Sequence, residues 1–216
     1  MIGYASWTGT KKTLDALRAA DWRLLTGPHI MGRGHKGRTF KLPLWTDGTV
    51  APYAVDNGAW TAHQQGTSFD SEAFERCVAL AGAGADWVVV PDIVEGGLDS
   101  LGFSLSWLPR LTEHRVLIAV QDGMEPADLE GLLSERVGIF IGGSTDWKID
   151  TMPIWGRLAR LVGCYLHVGR VNTVRRIRLC QRCGAHSFDG TSVTRFVCNL
   201  PRLDNARRQQ TIWGLV

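Results

Sequence analysis

The chain has 216 residues, of which 44% are hydrophobic and 21% are charged, and its formal net charge is +3. This composition is typical of a folded globular domain and excludes a disordered chain. No apolar run reaches the roughly 18 residues of a membrane-spanning helix, and the N-terminal sequence MIGYASWTGTKK lacks the basic and apolar regions of a secretory signal. We therefore expect one domain over residues 1–216, in the cytoplasm and without a membrane partner.

Short β-branched or aromatic runs recur along the chain and predict eight strands. They are Ile2–Trp7, Trp22–Thr26, Tyr53–Val55, Trp87–Pro91, Val116–Val120, Gly138–Ile141, Cys164–Val168 and His186–Phe188. Helical periodicity predicts helices between several of these strands, at Thr13–Ala20, Ser71–Ala83, Pro126–Glu135, Trp155–Leu161 and Thr173–Arg182. This alternation indicates parallel βαβ units and hence an α/β fold.

About eight such units predict a compact (β/α)8 TIM-like barrel, and a doubly wound open sheet is the alternative. Polar or glycine residues end nearly every predicted strand: Asp56, Asp92, Gln121, Ser144, Gly169 and Asp189. A barrel collects its functional residues at all its strand ends, whereas an open sheet concentrates them at one switch point. The distribution therefore favours the barrel.

Charge is unevenly distributed along the chain. From Arg170 to the C-terminus there are nine Lys or Arg and two acidic residues, a net +7, so the remainder carries −4. Solvated helix faces or a polyanionic partner explain such a bias about equally well. Five scattered cysteines favour a reducing compartment over a disulfide framework.

Two aspartates at distant strand ends, Asp56 and Asp189, supply the pair of carboxylates that glycosidic-bond chemistry needs. Each alone is more typical of a helix cap or a turn. Together with Asp92, Gln121 and Gly142-Gly143 they predict a purine pocket. An Asp accepts hydrogen bonds from a guanine-like edge, a Gln amide donates and accepts, and glycines admit backbone close to the ring.

The motifs Asp56–Ala59, Asp92, Val120–Gly123, Gly142–Ser144, His167–Gly169 and Phe188-Asp189 with Thr194-Arg195 occur in one order. In that order the chain resembles the tRNA-guanine transglycosylases, and in particular their small phage relatives that act on guanine in DNA. The likeness covers about residues 53–195. It is poor before residue 50.

The resemblance implies that Asp189 is the nucleophile and Asp56 the general acid/base. It also implies that Asp92, Gln121, Gly142, Gly143 and Asp146 bind the base. The family places an acidic residue near Asp146, but Lys148 occupies the nominal position. The implied reaction replaces guanine in nucleic acid, DNA favoured over tRNA, by a free 7-deazaguanine such as preQ0.

Nucleic-acid contacts are expected from four basic residues, Arg170, Arg175, Arg176 and Arg195. The family's zinc motif is absent, and Cys180 and Cys183 are expected to be ordinary cysteines, so we expect no metal and no cofactor. For a phage-encoded protein the compartment is the host cytoplasm. Two other classes stay open: a catalytically silent nucleic-acid-binding barrel, and a barrel hydrolase of the nucleosidase or phosphoesterase type.

Overall fold

Eight parallel strands close into a barrel in chain order, from β1 through β8 and back to β1. The computed structural model describes residues 1–7, 10–32 and 39–209. The strands are β1 Ile2–Ser6, β2 Arg23–Thr26, β3 Tyr53–Val55, β4 Ala85–Val89, β5 Val116–Val120, β6 Val137–Ile141, β7 Leu166–Val168 and β8 Ser187–Gly190. The predicted (β/α)8 barrel is therefore confirmed.

Helices connect the strands on the outside of the barrel. They are α1 Lys11–Ala19, α2 Pro28–Met31, α3 Ala59–Gln64, α4 Ser71–Ala81, α5 Gly97–Trp107, α6 Thr145–Val162, α7 Val174–Cys183, α8 Ser192–Arg195 and α9 Leu200–Arg208. Short 3-10 turns occur at Gly82–Gly84, Leu108–Arg110, Pro126–Leu129 and Val197–Asn199. Across the described ranges, no helix combines the length and apolarity required to cross a membrane.

Two helix predictions need correction. The helix predicted at Pro126–Glu135 is wrong, because only Pro126–Leu129 forms a 3-10 turn. The helix predicted at Trp155–Leu161 begins ten residues earlier, at Thr145. Pro153 lies inside α6, although a proline in a sequence usually indicates a helix boundary. Helices α2, α3, α5, α8 and α9 were not predicted.

Side chains inside the barrel form a small aromatic core. Tyr4, Trp87, Leu117 and Phe140 belong to this interior cluster, while the larger apolar cluster lies between the strands and the helices. In β7 and β8, His167 pairs with Ser187, so Asp189, two residues further on, points to the same face as both. Towards the C-terminal ends of the strands, the interior core thus continues into a polar layer of His167, Ser187 and Asp189.

The N-terminal end of the barrel contains its own half-buried carboxylate. Asp86 accepts hydrogen bonds from Tyr4 on Oδ2 at 2.9 Å and from Arg23 on Oδ1 at 2.5 Å. Both oxygens of Asp86 are therefore occupied. On a TIM barrel this end contributes to stability, whereas the opposite end carries function.

Candidate active site at the C-terminal end of the barrel

The residues singled out from the sequence lie at the C-terminal ends of five of the eight strands. Asp56 directly follows β3, Asp92 follows β4 and Gln121 directly follows β5. Gly142 and Gly143 follow β6, and Asp189 is the third residue of β8. Parallel strands bring these ends to one rim of the barrel, where the loops of such folds carry chemistry.

Asp189 is held by two donors that bind the same oxygen. His167 Nε2 and the backbone N–H of Arg170 both lie 3.1 Å from Asp189 Oδ1. Among the described residues, no hydrogen bond reaches Oδ2. The side chain is 12% exposed. One of its oxygens is thus fixed, and the other has no partner among the described residues.

His167 orients this carboxylate, a role that the sequence did not suggest. An ionised carboxylate only accepts, so Nε2 of His167 carries the proton and Nδ1 accepts from the Ser187 hydroxyl at 2.7 Å. The imidazole stacks on Phe140 with ring centroids 4.8 Å apart. Burial lowers the pKa of His167, although Asp189 opposes the change, so the ring is a neutral donor.

Lys148 is a second residue that sequence reasoning left without a role. It lies on α6, is 5% exposed, and its Nζ donates to the Gly169 carbonyl at 2.5 Å. Burial and the nearby Arg170 lower the pKa of Lys148 to about 8, against the opposing charge of Asp189. A buried ammonium thus lies close to the Asp189 carboxylate.

Asp56 occupies the β3 side of the rim. Its Oδ1 accepts from the Gly58 backbone N–H at 2.7 Å, and Gly58 allows this tight turn with a φ of +84°. Burial raises the pKa of Asp56 to about 7, the Gly58 hydrogen bond opposes the rise, and the charges of Asp189 and Asp92 add to it. The two carboxylates are therefore near enough to interact electrostatically.

Asn57 positions Asp92. The buried Asn57 amide donates to Asp92 Oδ1 at 2.7 Å and to the Val90 carbonyl at 2.8 Å, while its own oxygen accepts from the Ala59 N–H. Burial raises the pKa of Asp92, although the Asn57 hydrogen bond opposes the rise. Asp92 Oδ2 has no hydrogen bond within the described ranges.

Gln121 and the β6 glycines use part of their hydrogen-bonding capacity inside the protein. Gln121 Nε2 donates to the Ile93 carbonyl at 2.9 Å, which leaves its oxygen as an acceptor. Gly142 N–H bonds to the Val120 carbonyl at 2.8 Å. Of the two glycine amides, that of Gly143 has no partner in the described part of the chain, so it alone of the pair can meet a ligand.

Gly143 lies in a crowded turn. It has a φ of +65°, and a Cβ there would come 2.6 Å from Asp122 Oδ2 and 2.7 Å from the Trp147 ring. Asp122 accepts from the backbone N–H and the hydroxyl of Ser144, both at 2.6 Å. Glycine is therefore required here by backbone conformation and by space.

Arg170 connects three elements of the rim. Its φ is +59°, an uncommon conformation for a residue with a side chain. Its guanidinium donates to the Gly143 carbonyl and lies 4.4 Å from the ring centroid of Trp60, which is 39% exposed. The structure thus gives Arg170 a positioning role in addition to the nucleic-acid contact expected from sequence.

The other predicted contact residues lie on the helices around this rim. Arg175 in the first turn of α7 and Arg195 at the end of α8 are exposed, and Arg176 is half-buried. Asp146 is exposed in the first turn of α6, and no hydrogen bond in the described ranges uses its side chain. These positions leave Arg175, Arg195 and Asp146 accessible to a ligand.

A cavity of about 500 Å³ lies beside the site rather than over Asp189. It is bounded by α2, α3 and α4, with Pro28, Asn57, Gly58 and Phe69 in its lining. It therefore adjoins the Asp56 turn. Cys180 and Cys183 are buried on α7, and the ranges 1–7, 10–32 and 39–209 contain no metal-binding group of three His, Cys, Asp or Glu.

The fold and the rim define a (β/α)8 barrel with a cluster of acidic, amide and basic groups at its C-terminal end. No family model matches the sequence, and no curated protein matches it.

Solved structures match the fold over most of their length. Protein CitE from Mycobacterium tuberculosis, in complex with magnesium and pyruvate, has a TM-score of 0.55 at 13% identity and covers 98% of this chain and 92% of its own. Tryptophan synthase from M. tuberculosis has a TM-score of 0.52 at 18% identity, covering 95% and 88%. The alpha subunit of tryptophan synthase from Legionella pneumophila has a TM-score of 0.50 at 10% identity. The match covers 95% of this chain and 91% of that subunit. At these identities the likeness establishes the barrel fold alone.

Proposed function

We propose that the protein is an enzyme that exchanges guanine in nucleic acid, DNA in the first place, for a free 7-deazaguanine. The observation that carries the proposal is the state of the two rim carboxylates. Asp189 has one oxygen fixed by two donors and one oxygen unpartnered among the described residues. Asp56, within electrostatic range, has a pKa raised to about 7 by burial and by its acidic neighbours. These are the properties of a nucleophile and of a general acid/base.

In the first step, Asp189 Oδ2 attacks C1′ of the target guanosine. The C1′–N9 bond breaks as the Oδ2–C1′ bond forms, and the leaving guanine takes a proton from Asp56. His167 and the Arg170 N–H hold Oδ1 and so direct Oδ2 towards the substrate. The product is a glycosyl ester on Asp189.

In the second step, the incoming 7-deazaguanine loses its N9 proton to the Asp56 carboxylate. N9 then attacks C1′, and the bond to Asp189 Oδ2 breaks. Two displacements at C1′ give overall retention of configuration. Because Asp56 returns to its protonated form, the cycle needs no external acid or base.

The outgoing and incoming bases share one recognition edge, so one pocket can serve both. Asp92 Oδ2, the Gln121 oxygen and the Gly143 N–H are hydrogen-bonding groups that the described residues leave unused. Two acceptors and one donor match the N1–H, exocyclic amine and O6 of a guanine-like edge. The buried Asn57 keeps Asp92 in place for this contact.

The target nucleotide must leave its base stack to reach the rim. The basic C-terminal section supplies positive charge for the flanking phosphates, with Arg175 and Arg195 exposed near the site. This positive charge favours a nucleic acid over a free nucleoside.

The proposal is tested by incubating the protein with guanine-containing duplex DNA and a radiolabelled 7-deazaguanine. We expect label in the DNA, release of free guanine, and a protein–DNA adduct that survives denaturation and maps to Asp189 by mass spectrometry. A parallel reaction with tRNA identifies the preferred nucleic acid.

Other outcomes separate the alternatives. Release of guanine without incorporation of label would indicate a hydrolase. Salt-dependent DNA binding with neither release nor adduct would indicate a silent binding barrel. Either result would overturn the transglycosylase proposal.

A further inference from the structure

One peptide group lies between the buried ammonium and the proposed nucleophile. Lys148 Nζ donates to the Gly169 carbonyl oxygen at 2.5 Å. The N–H of the same peptide unit belongs to Arg170, and it donates to Asp189 Oδ1 at 3.1 Å. The described residues contain no cis peptide bond, so this C=O and N–H point in opposite directions, one to each partner.

Such an arrangement has an electrostatic consequence. A cation bound to a carbonyl oxygen draws electron density through the amide and makes its N–H a stronger donor, as in cooperative hydrogen-bond chains. A hydrogen bond in which one partner is ionised is also stronger than a neutral one. The Asp189 carboxylate therefore receives the influence of Lys148 through the peptide as well as through space.

The surrounding structure fixes this peptide in place. Arg170 holds a left-handed φ of +59°, a conformation that persists only where several contacts require it. Those contacts are its N–H bond to Asp189, its guanidinium bond to the Gly143 carbonyl and its stacking on Trp60. Gly169 has no side chain, and a Cβ there would meet the Phe140 ring at 2.7 Å.

We propose that Lys148 is a positioning residue which, through the Gly169–Arg170 peptide, strengthens the hydrogen bond from the Arg170 N–H to Asp189 Oδ1 and so holds Oδ1 while Oδ2 attacks the substrate. The proposal rests on the proposed function for its catalytic meaning. The two hydrogen bonds that connect Lys148 to Asp189 through the Gly169–Arg170 peptide do not depend on the proposed function. We call this connection the Lys148 relay. Lys148 does not touch the reacting atoms in this arrangement.

Arg160 provides a matched control. It lies on the same helix as Lys148, and its guanidinium likewise donates to a backbone carbonyl, that of Cys183, at 2.7 Å. That carbonyl is at the end of α7 and has no link to Asp189 in the described hydrogen bonds. A substitution of Arg160 thus removes a similar hydrogen bond between an α6 side chain and a backbone carbonyl without affecting the nucleophile.

The test compares Lys148→Met, Lys148→Gln and Arg160→Met with the unmodified protein. Lys148→Met removes the charge and keeps the apolar stem, whereas Lys148→Gln keeps a donor without charge. We expect Lys148→Met to slow single-turnover formation of the DNA adduct by roughly ten- to a hundredfold, with DNA affinity unchanged within about twofold. Arg160→Met should form the adduct at the unmodified rate.

A second readout does not depend on activity. In ¹H–¹⁵N NMR spectra the Arg170 amide proton should move upfield in Lys148→Met and Lys148→Gln, since its hydrogen bond weakens, and stay in place in Arg160→Met. If the unmodified protein exchanges no base, this shift still decides the relay.

An unchanged Arg170 amide resonance would overturn the proposal. An adduct rate in Lys148→Gln equal to that of the unmodified protein would also overturn it. The hydrogen bond to the Gly169 carbonyl would then be sufficient without the positive charge of Lys148. If Lys148→Met does not fold, the adduct rate and the Arg170 amide shift of Lys148→Gln test the proposal.

Discussion

Each end of the barrel holds an aspartate, half-buried at the N-terminal end and buried at the C-terminal end, and the two aspartates differ in which oxygens accept hydrogen bonds. At the N-terminal end, Asp86 has a partner on each oxygen, Tyr4 on one and Arg23 on the other. At the C-terminal end, Asp189 receives both of its hydrogen bonds on Oδ1. The same residue type is thus fully paired at one end and half-paired at the other.

This difference separates a structural carboxylate from a reactive one. A carboxylate with a protein donor on each oxygen is stabilised as it stands, and neither of its oxygens is left without a protein partner. A carboxylate fixed through one oxygen keeps its orientation while the other oxygen remains available. The comparison predicts that equal substitutions at the two ends have unequal consequences.

The largest effect is expected for Asp189→Asn. The amide keeps the size of the side chain and an oxygen for His167 and Arg170, but it is a poor nucleophile. We expect adduct formation to fall by at least about a thousandfold, measured by single-turnover kinetics on a guanine-containing duplex.

Asp86→Asn is the control for that experiment. It should form the adduct within about twofold of the normal rate and should lower the free energy of unfolding by about 1 to 3 kcal/mol, because Arg23 loses a charged partner. Chemical denaturation measures the second quantity. The reverse pattern, with Asp86 needed for activity and Asp189 dispensable, would invalidate the assignment of the two ends.

Asp56→Asn should slow adduct formation by about a hundredfold or more, because the leaving guanine loses its proton donor. In the unmodified protein the raised pKa of about 7 keeps this carboxyl protonated to higher pH than usual. The rate should therefore fall about tenfold per pH unit between pH 7 and 8, and more steeply above pH 8, where Lys148 also loses its charge. A rate that rises through this range would contradict the role of acid.

The same substitution should increase stability at alkaline pH. Since the folded-state pKa of Asp56 is raised, its protonated form contributes stability that is present below the unfolded pKa of about 4 and is lost as pH rises through 7. Asn cannot ionise and can still accept from Gly58. We expect Asp56→Asn to gain on the order of 1 kcal/mol at pH 8 and less at pH 5, from denaturation curves at both values.

The smallest effect concerns the surface charges around the active end. Arg175→Ala and Arg195→Ala should each weaken DNA binding a few-fold and lower the salt dependence of binding by about one counterion. Arg115, exposed next to β5 at the opposite end, is the matched control. Equal losses for Arg115→Ala would show that binding does not distinguish the two ends.

The barrel and the strand-end residues were predictable from the sequence, because short β-branched or aromatic runs and the polar residues after them are local signals. Asp56, Asp92, Gln121 and Asp189 lie where those signals placed them. The full length of α6 could not be predicted from the sequence. Pro153 lies within this helix, and a proline usually indicates a helix boundary.

The partners of Asp189 could not be found in this way. His167 occupies an ordinary strand position, and only the register of β7 and β8 turns it towards Asp189. Lys148 lies 41 residues before Asp189 in a helix, and only closure of the barrel brings it near. Sequence patterns report which residues share an element, whereas these contacts depend on how elements pack.

The neutral state of His167 has a consequence for how the protein could be adapted. Both donors that touch Asp189 are groups that keep their protons through neutral and alkaline pH: an imidazole N–H locked by Ser187 and a backbone amide. The two donors to Asp189 therefore keep their protons while Asp56 titrates near pH 7, and the charge of Lys148, whose pKa is about 8, is lost only at higher pH. A working pH could then be retuned by substitutions around β3 and β4, with β7 and β8 left as they are.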